Sequence, residues 1–541
     1  MNKFEQFDAF VETTSNATPK IETLKKFAGY ISKMGYTGMF LGSVDYYKIE
    51  GEPYFGYQRG GYTKEEIREL DEYCKSVNIE LKPSIQVLGH LYFLGKYATY
   101  RDYMDNNEVL LVDDERTYVL IDKMFKTISE YFTSRNIHIG MDEAFGLGVG
   151  KHLQLYGYEN GFDIITRHLN RVLEIAKKYG FKCEMWSDMF IHHLISAEEF
   201  KKPKEEVRKL VKGKIPPEVT LSHWSYINMD EKKLIGELIN HDKLTDRVSF
   251  TGAVLKWFGF APDLAYSCRA IKNSMSLCYR TGVKKYNLAL WSDWGAEASI
   301  FSALPALYFA SEYNKGRCES VDDLNKQRFK ELFGVEFDTF MLLDLPNKPH
   351  PDVVYDKPNS KCVFYLYSDP LLGQMDALLS ENTGKDYGRA GEILSNADLG
   401  EFKYISDTLS KLCAALSIKA ELGKRIKHYY DLGDKSALKA IAEKDIPKLI
   451  TYVKEFYDYS YKQWTIENKT FGFETQSQRI GGLIFRLEHV ANVLQDYCGG
   501  VVSEIEELNA ERLVPDINVH NPTEDNYIMF GWNHIVANGW I

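Results

Sequence analysis

The sequence predicts an α/β fold, a TIM (β/α)8 barrel over residues 1–343 followed by a mostly α-helical C-terminal domain over 344–541. Three observations carry this reading. Through about residue 310, short apolar runs alternate with amphipathic helical patterns, as βα units of a parallel sheet require. Those runs number eight, which close most naturally into a barrel. Beyond them, a proline-rich stretch leads into helical periodicity with no convincing strand.

The eight strands are FDAFVET (7–13), TGMFLGSVD (37–45), IELKPSIQ (79–86), IHIGMDE (137–143), KCEMWSD (182–188), VTLSHWSY (219–226), VSFTGAV (248–254) and NLALWSD (287–293). The helix KEEIRELDEYCKSV is typical of those between them. Thr63, with Glu66 three residues on, forms a capping box at its start. Ile67, Leu70, Cys74 and Val77 then repeat at helical spacing and give one stripe to bury. No G-x-G-x-x-G follows the first strand, which weakens the rival doubly wound sheet. Pro346, Pro349, Pro351 and Pro358 mark 343–360 as a linker. Leu483, Leu487, Val490 and Leu494 place one apolar face on a C-terminal helix. The segment 468–482 reads as an interhelical turn, with a loop docked on the barrel mouth as the alternative, bringing Arg479 near the site. The terminal IMFGWNHIVANGWI, with Trp532 and Trp540, is apolar enough to be expected to pack.

A net charge of -11 without a long basic run argues against nucleic acid or an anionic membrane as partner. The eight cysteines form no C-x-x-C pair and read as reduced, mostly buried thiols. The N-terminus lacks a continuous apolar run and no stretch reaches transmembrane length, so a cytoplasmic protein is expected. Oligomeric state stays open.

Function in such a barrel gathers at the carboxyl ends of the strands. Those ends carry Asp45, His90 just beyond strand 3, Asp142-Glu143, Trp186-Ser187-Asp188, His223-Trp224-Ser225-Tyr226, Trp257 and Trp291-Ser292-Asp293. Indoles around one mouth stack on the apolar faces of sugars, and carboxylates accept from hydroxyls; the pocket suits a small, neutral, hydroxyl-rich ring. Asp142 and Glu143 can share a pocket only where their strand is ending, because neighbouring strand residues point to opposite faces. Adjacent carboxylates in an aromatic pocket should have pKa values driven apart, one ionised and one protonated, which glycosidic cleavage needs. Histidines 90, 138, 192, 193 and 223 invite a metal reading, but no H-x-H ends strand 1 and Trp dominates the other ends, so neither metal nor cofactor is expected. His138 reads as a hydrogen-bonded supporting residue.

HIGMDE (138–143), which matches H-x-G-x-D-E, the GH pair 89–90 and the tryptophans ending strands 5, 6 and 8 together resemble glycoside hydrolase family 20, the β-N-acetylhexosaminidases, over roughly residues 5–315. The resemblance implies an exo-acting, substrate-assisted, retaining hydrolase acting on glycans with terminal N-acetylhexosamine, in which the sugar's 2-acetamido group attacks C1. It implies Glu143 as general acid and Asp142 as the partner of the acetamido N–H. Trp186, Trp224 and Trp291 would wall the acetamido pocket, Asp45 and Asp293 would bind hydroxyls, and His90 would support the acid. Three departures stand out. The family's strand-1 Arg is missing from EQFDAF, and Arg59 in GYQRGGY is the candidate substitute. The family's strand-7 Tyr falls near Trp257-Phe258, and Tyr226 is the candidate for its hydrogen bond. The last-strand carboxylate is Asp293 where Glu is usual, which leaves the choice between GlcNAc and GalNAc open. Two rivals remain: a retaining β-glycosidase with a protein carboxylate nucleophile, and a sugar-binding protein without catalysis.

Overall fold

The computed structural model describes residues 3–13, 16–194, 196–349 and 357–514. The terminal segment with Trp532 and Trp540 therefore lies outside the described residues, as do the side chains of His192 and His193. All eight expected strands are present: β1 (Gln6–Glu12), β2 (Gly38–Gly42), β3 (Glu80–Pro83), β4 (Asn136–His138), β5 (Lys182–Trp186), β6 (Thr220–Trp224), β7 (Val248–Ala253) and β8 (Lys285–Leu290). They form one parallel sheet in the order β3-β2-β1-β8-β7-β6-β5-β4. A single bridge between Ser84 and His138, with Ile85 N donating to His138 O at 2.9 Å, draws β3 and β4 together. The result is a TIM barrel with a thin seam between β3 and β4.

Every strand stops before its predicted end, β4 by five residues, since it ends at His138 rather than Glu143. The apolar runs continue past the ladders because the loops above them are buried as well: Ile139, Met141 and Ala144 are essentially inaccessible. Apolarity therefore marks burial here and not strand length.

Alternation along the strands sorts the barrel interior into layers. Asp8, Lys82, Glu184, Ser249 and Asn287 form a polar floor. Lys82 Nζ donates to Asp8 Oδ2 at 2.7 Å, and Glu184 Oε1 accepts from Ser249 at 2.7 Å and Asn287 at 3.2 Å. Two residues further along their strands come Phe10, Trp186 and Ala289, which join Phe40 and Ala253 in one apolar cluster. Above that layer stand the loops that carry the strand-end residues.

The capping box at Thr63 and Glu66 forms as expected, on the helix Lys64–Ser76 with Ile67, Leu70 and Cys74 buried. After β8 the chain is helical throughout the described residues, and its core is continuous with the one outside the barrel. The long helices Ile446–Glu467 and Phe473–Gly499 pack against each other, with Leu483, Leu487, Val490 and Leu494 buried on the second. The turn at 468–472 is where these helices meet the barrel: Lys469 N donates to Thr18 O at 2.8 Å and Asn16 Nδ2 to Gly472 O at 2.7 Å. The segment 468–482 is thus a short turn whose remainder is helix. All eight cysteines are unpaired and seven are buried. No helix among the described residues is long and apolar enough to cross a membrane.

Candidate active site

The acid pair sits on the barrel seam. β4 ends at His138, and Gly140 (φ 69°) and the residue after it turn the chain left-handed before Asp142, so the turn and not strand alternation aims this side chain. Glu143 has a left-handed backbone of its own (φ 43°), and both acids face His90. Met141 (φ 73°) and His90 (φ 57°) are also left-handed without being glycine, which places three costly conformations around one spot. Asp188 holds this backbone by accepting from Glu143 N at 2.9 Å. Two glycines let the loops after β3 and β4 touch. A Cβ on Gly89 would stand 2.8 Å from Asp142 O, and one on Gly140 (φ 69°) would stand 1.9 Å from Gln86 Oε1.

Gln86 Nε2 donates to Asp142 Oδ1 at 2.7 Å, and its Oε1 accepts from Met141 N at 3.1 Å. His90 Nε2 lies 3.2 Å from Asp142 Oδ2 and 3.6 Å from Glu143 Oε2, so one imidazole serves both acids. Burial would raise the Asp142 carboxyl, but His90 and Gln86 outweigh it and hold it below the usual range. Glu143 is raised, first by burial and then by the charge on Asp142. Burial opposes charge on His90, yet the two acids more than offset it and push its pKa up to about 10. Asp188, buried beside the charge of Asp142, is pushed up to about 7. The pair is therefore polarised, with Asp142 held down as the stronger acid and Glu143 pushed up as the weaker.

His138 lies beneath the pair with its ring 4.2 Å from Trp186, and burial pushes it down to about 3. Its Nδ1 accepts from Gly140 N at 3.1 Å, so the neutral ring carries its proton on Nε2 among the aromatic side chains. It supports the motif's turn, as its position suggested.

Aromatic rings line the rest of the mouth. Trp186 and Trp291 meet edge to face at 6.0 Å above Phe10, and Trp224 stacks on Tyr226 at 5.2 Å. Tyr226 in turn meets Trp257 at 5.6 Å and Trp291 at 6.2 Å. Trp224, Tyr226 and Trp291 are half-buried and present surface to the opening. Trp186 and Trp257 are each only 2% exposed and back the others. His223 turns outward instead, with Nε2 3.3 Å from Glu237 on an outer helix.

Across the mouth, buried Asp45 pairs through Oδ2 with Arg59 Nε at 2.8 Å, and the guanidinium stacks on Phe93 at 3.4 Å. Burial raises Asp45 against the pull of Arg59. Asp293, half-buried, is pushed up to about 8 by burial and by Glu12. Glu12, Arg59, Asp293 and Asp45 all act electrostatically on Tyr92. Gln86 and Glu12 were absent from the predicted site, and Asp188, placed there at the end of strand 5, was given no role. Each lies an even number of residues from an inward neighbour (Lys82, Trp186 and Phe10), a period-two signal that could have found them.

Two family models match the chain: "Glycosyl hydrolase family 20, catalytic domain" over residues 40–236, and "Glycoside Hydrolase 20C C-terminal domain" over 338–527. Hexosaminidase D of Bos taurus is 25% identical over 139 residues, covering 25% of this chain and 40% of that protein. The Homo sapiens protein of the same name is 23% identical over 139 residues, covering 25% and 29%. The matched stretch thus spans less than half the length of either relative. Among solved structures, a β-N-acetylhexosaminidase is 12% identical with a TM-score of 0.47, covering 62% of this chain and 79% of that one. The exo β-N-acetylglucosaminidase of Vibrio harveyi in complex with N-acetylglucosamine is 15% identical with a TM-score of 0.47, covering 63% and 59%. With both family models matched in succession over more than half of its residues, the chain belongs to glycoside hydrolase family 20.

Proposed function

We propose that this chain is an exo-acting, retaining β-N-acetylhexosaminidase that removes terminal β-linked GlcNAc or GalNAc from glycans by substrate-assisted catalysis. The polarised pair Asp142–Glu143, bridged by His90 beside an aromatic wall, carries the reading. We assign the catalytic barrel to residues 1–343 and the helical domain to 344–541. Eight unpaired cysteines support a reducing, cytoplasmic setting.

In this mechanism the acetamido oxygen of the bound sugar attacks C1 as the glycosidic C1–O bond breaks. Glu143 gives its proton to the departing oxygen. The positive charge that develops on the acetamido group is met by Asp142, held ionised by His90 and Gln86 and aimed at the amide N–H. Water then attacks C1 from the side the aglycone left, gives its proton to Glu143 and regenerates the acetamide, so configuration is retained. Trp224 and Trp291 carry the sugar, backed by Trp186 and Trp257, and Tyr226 takes the acetamido oxygen. Asp45, organised by Arg59, and Asp293 read the ring hydroxyls.

A paired set of aryl β-GlcNAc, β-GalNAc and β-glucose substrates tests this. Rapid release from the first two and little from the third is expected. Equal release from the glucoside would point to a protein nucleophile, and no release from any to a binding protein.

The pH profile should respond to His90. Protonated His90 lowers the pKa of both acids, so His90→Gln lets both rise. The acid limb of kcat/KM, where Asp142 must lose its proton, and the alkaline limb, where Glu143 must keep its own, should both move to higher pH. Unmoved limbs would show that His90 does not govern the pair.

A further inference from the structure

Outside the mouth, a small cavity lies where the helical domain meets the loop after β8. It is lined by Phe260, Ala296 and Glu297 from the barrel and by Ser460, Gln463 and Gln476 from the two long helices. Its volume of about 20 Å³ admits one water-sized occupant. Four of its oxygens are buried without a hydrogen-bond partner among the described residues: Glu297 Oε2, Gln463 Oε1, Gln476 Oε1 and Ser460 Oγ. Glu297, Gln463 and Gln476 are each more than nine-tenths buried.

The two amides are not free to turn over and donate. Gln463 Nε2 is committed to Glu297 O at 3.2 Å, and Gln476 Nε2 to Gly295 O at 3.2 Å. Their carbonyl oxygens are thereby left as acceptors, and Glu297 Oε2 makes a third when ionised. Arg479 Nη1 satisfies the other oxygen of Glu297 at 3.1 Å. The neighbouring cavity shares Ala296, Ala298, Glu467 and Asn468 with this one and adds Glu12 and Lys256. Glu12, Glu297 and Glu467 thus face two cations, Lys256 and Arg479, and the junction carries more acid than base. Three acceptors left undonated in such a place are costly.

We propose that this cavity binds a monovalent metal cation, sodium or potassium, through Glu297, Gln463, Gln476 and Ser460. One carboxylate and three neutral oxygens suit a hard cation of low charge. A cation takes several oxygens at once, where a water has two protons to give. The site ties the two long helices to the loop that carries Asp293.

The probe is rubidium. A crystal of the full chain soaked in rubidium chloride should show an anomalous peak within the cavity. In solution the melting temperature should rise by about 2–5 °C on replacing choline chloride with equal sodium or potassium chloride. Glu297→Gln, or Gln476→Met should the first fail to fold, should lose that difference. A cavity without an anomalous peak, holding water only, or a melting temperature equal in choline and potassium, overturns the proposal. Neither readout needs turnover, so the outcome is independent of the activity proposed above.

Discussion

Glu143→Gln should lower kcat by about 10³-fold for saccharide or alkyl aglycones and by no more than about tenfold for dinitrophenyl glycosides. The amide has the shape of the acid but no proton to give. An alkoxide leaving group needs that proton and a dinitrophenolate does not. Folding should be spared, because the side chain is 39% exposed and its backbone is held by Asp188, not by its own carboxyl. Steady-state kinetics over leaving groups of graded acidity gives the test: the variant should show a much steeper dependence than the wild type. A parallel pair of lines would remove Glu143 from the acid role.

Asp142→Asn should cost about 10²–10³ in kcat whatever the leaving group. The charge Asp142 balances sits on the acetamido group, not on the departing oxygen, so aryl activation cannot rescue it. The substitution also places an amide between two donors, Gln86 Nε2 and His90 Nε2, which asparagine can satisfy only once without setting its own NH2 against the other. The imidazole then loses its main counter-charge, and its pKa should fall from about 10 toward the ordinary range, visible in an NMR titration. A large kinetic defect without that fall would separate catalysis from the His90 contact. A variant as fast as wild type would sink substrate assistance by Asp142.

These two expectations start from six residues, HIGMDE, that were legible without a structure, and so was the barrel. Eight apolar runs and the helices between them are set by local preference, which the chain declares residue by residue. The motif also declares Asp142 and Glu143 as acids at the end of an apolar run, where a strand at a barrel mouth stops. Three things were not legible. The strands end sooner than the apolar runs do, because loop burial above the barrel extends the same signal. Arg59 reaches Asp45 and Phe93 through a loop whose course no periodicity describes. The turn at 468–472 finds Asn16 and Thr18 from more than 450 positions away.

The sequence by itself determined which side chains belong to the barrel and which acids could share its mouth, since alternation and helical spacing are short-range rules. Only the tertiary structure decided that Glu143 joins Asp142. That step needs a left-handed backbone at a residue that disfavours it, held by Asp188 just past the end of the next strand and admitted by the close approach at Gly89. The cost of that conformation is local, and what offsets it comes from elsewhere in the chain.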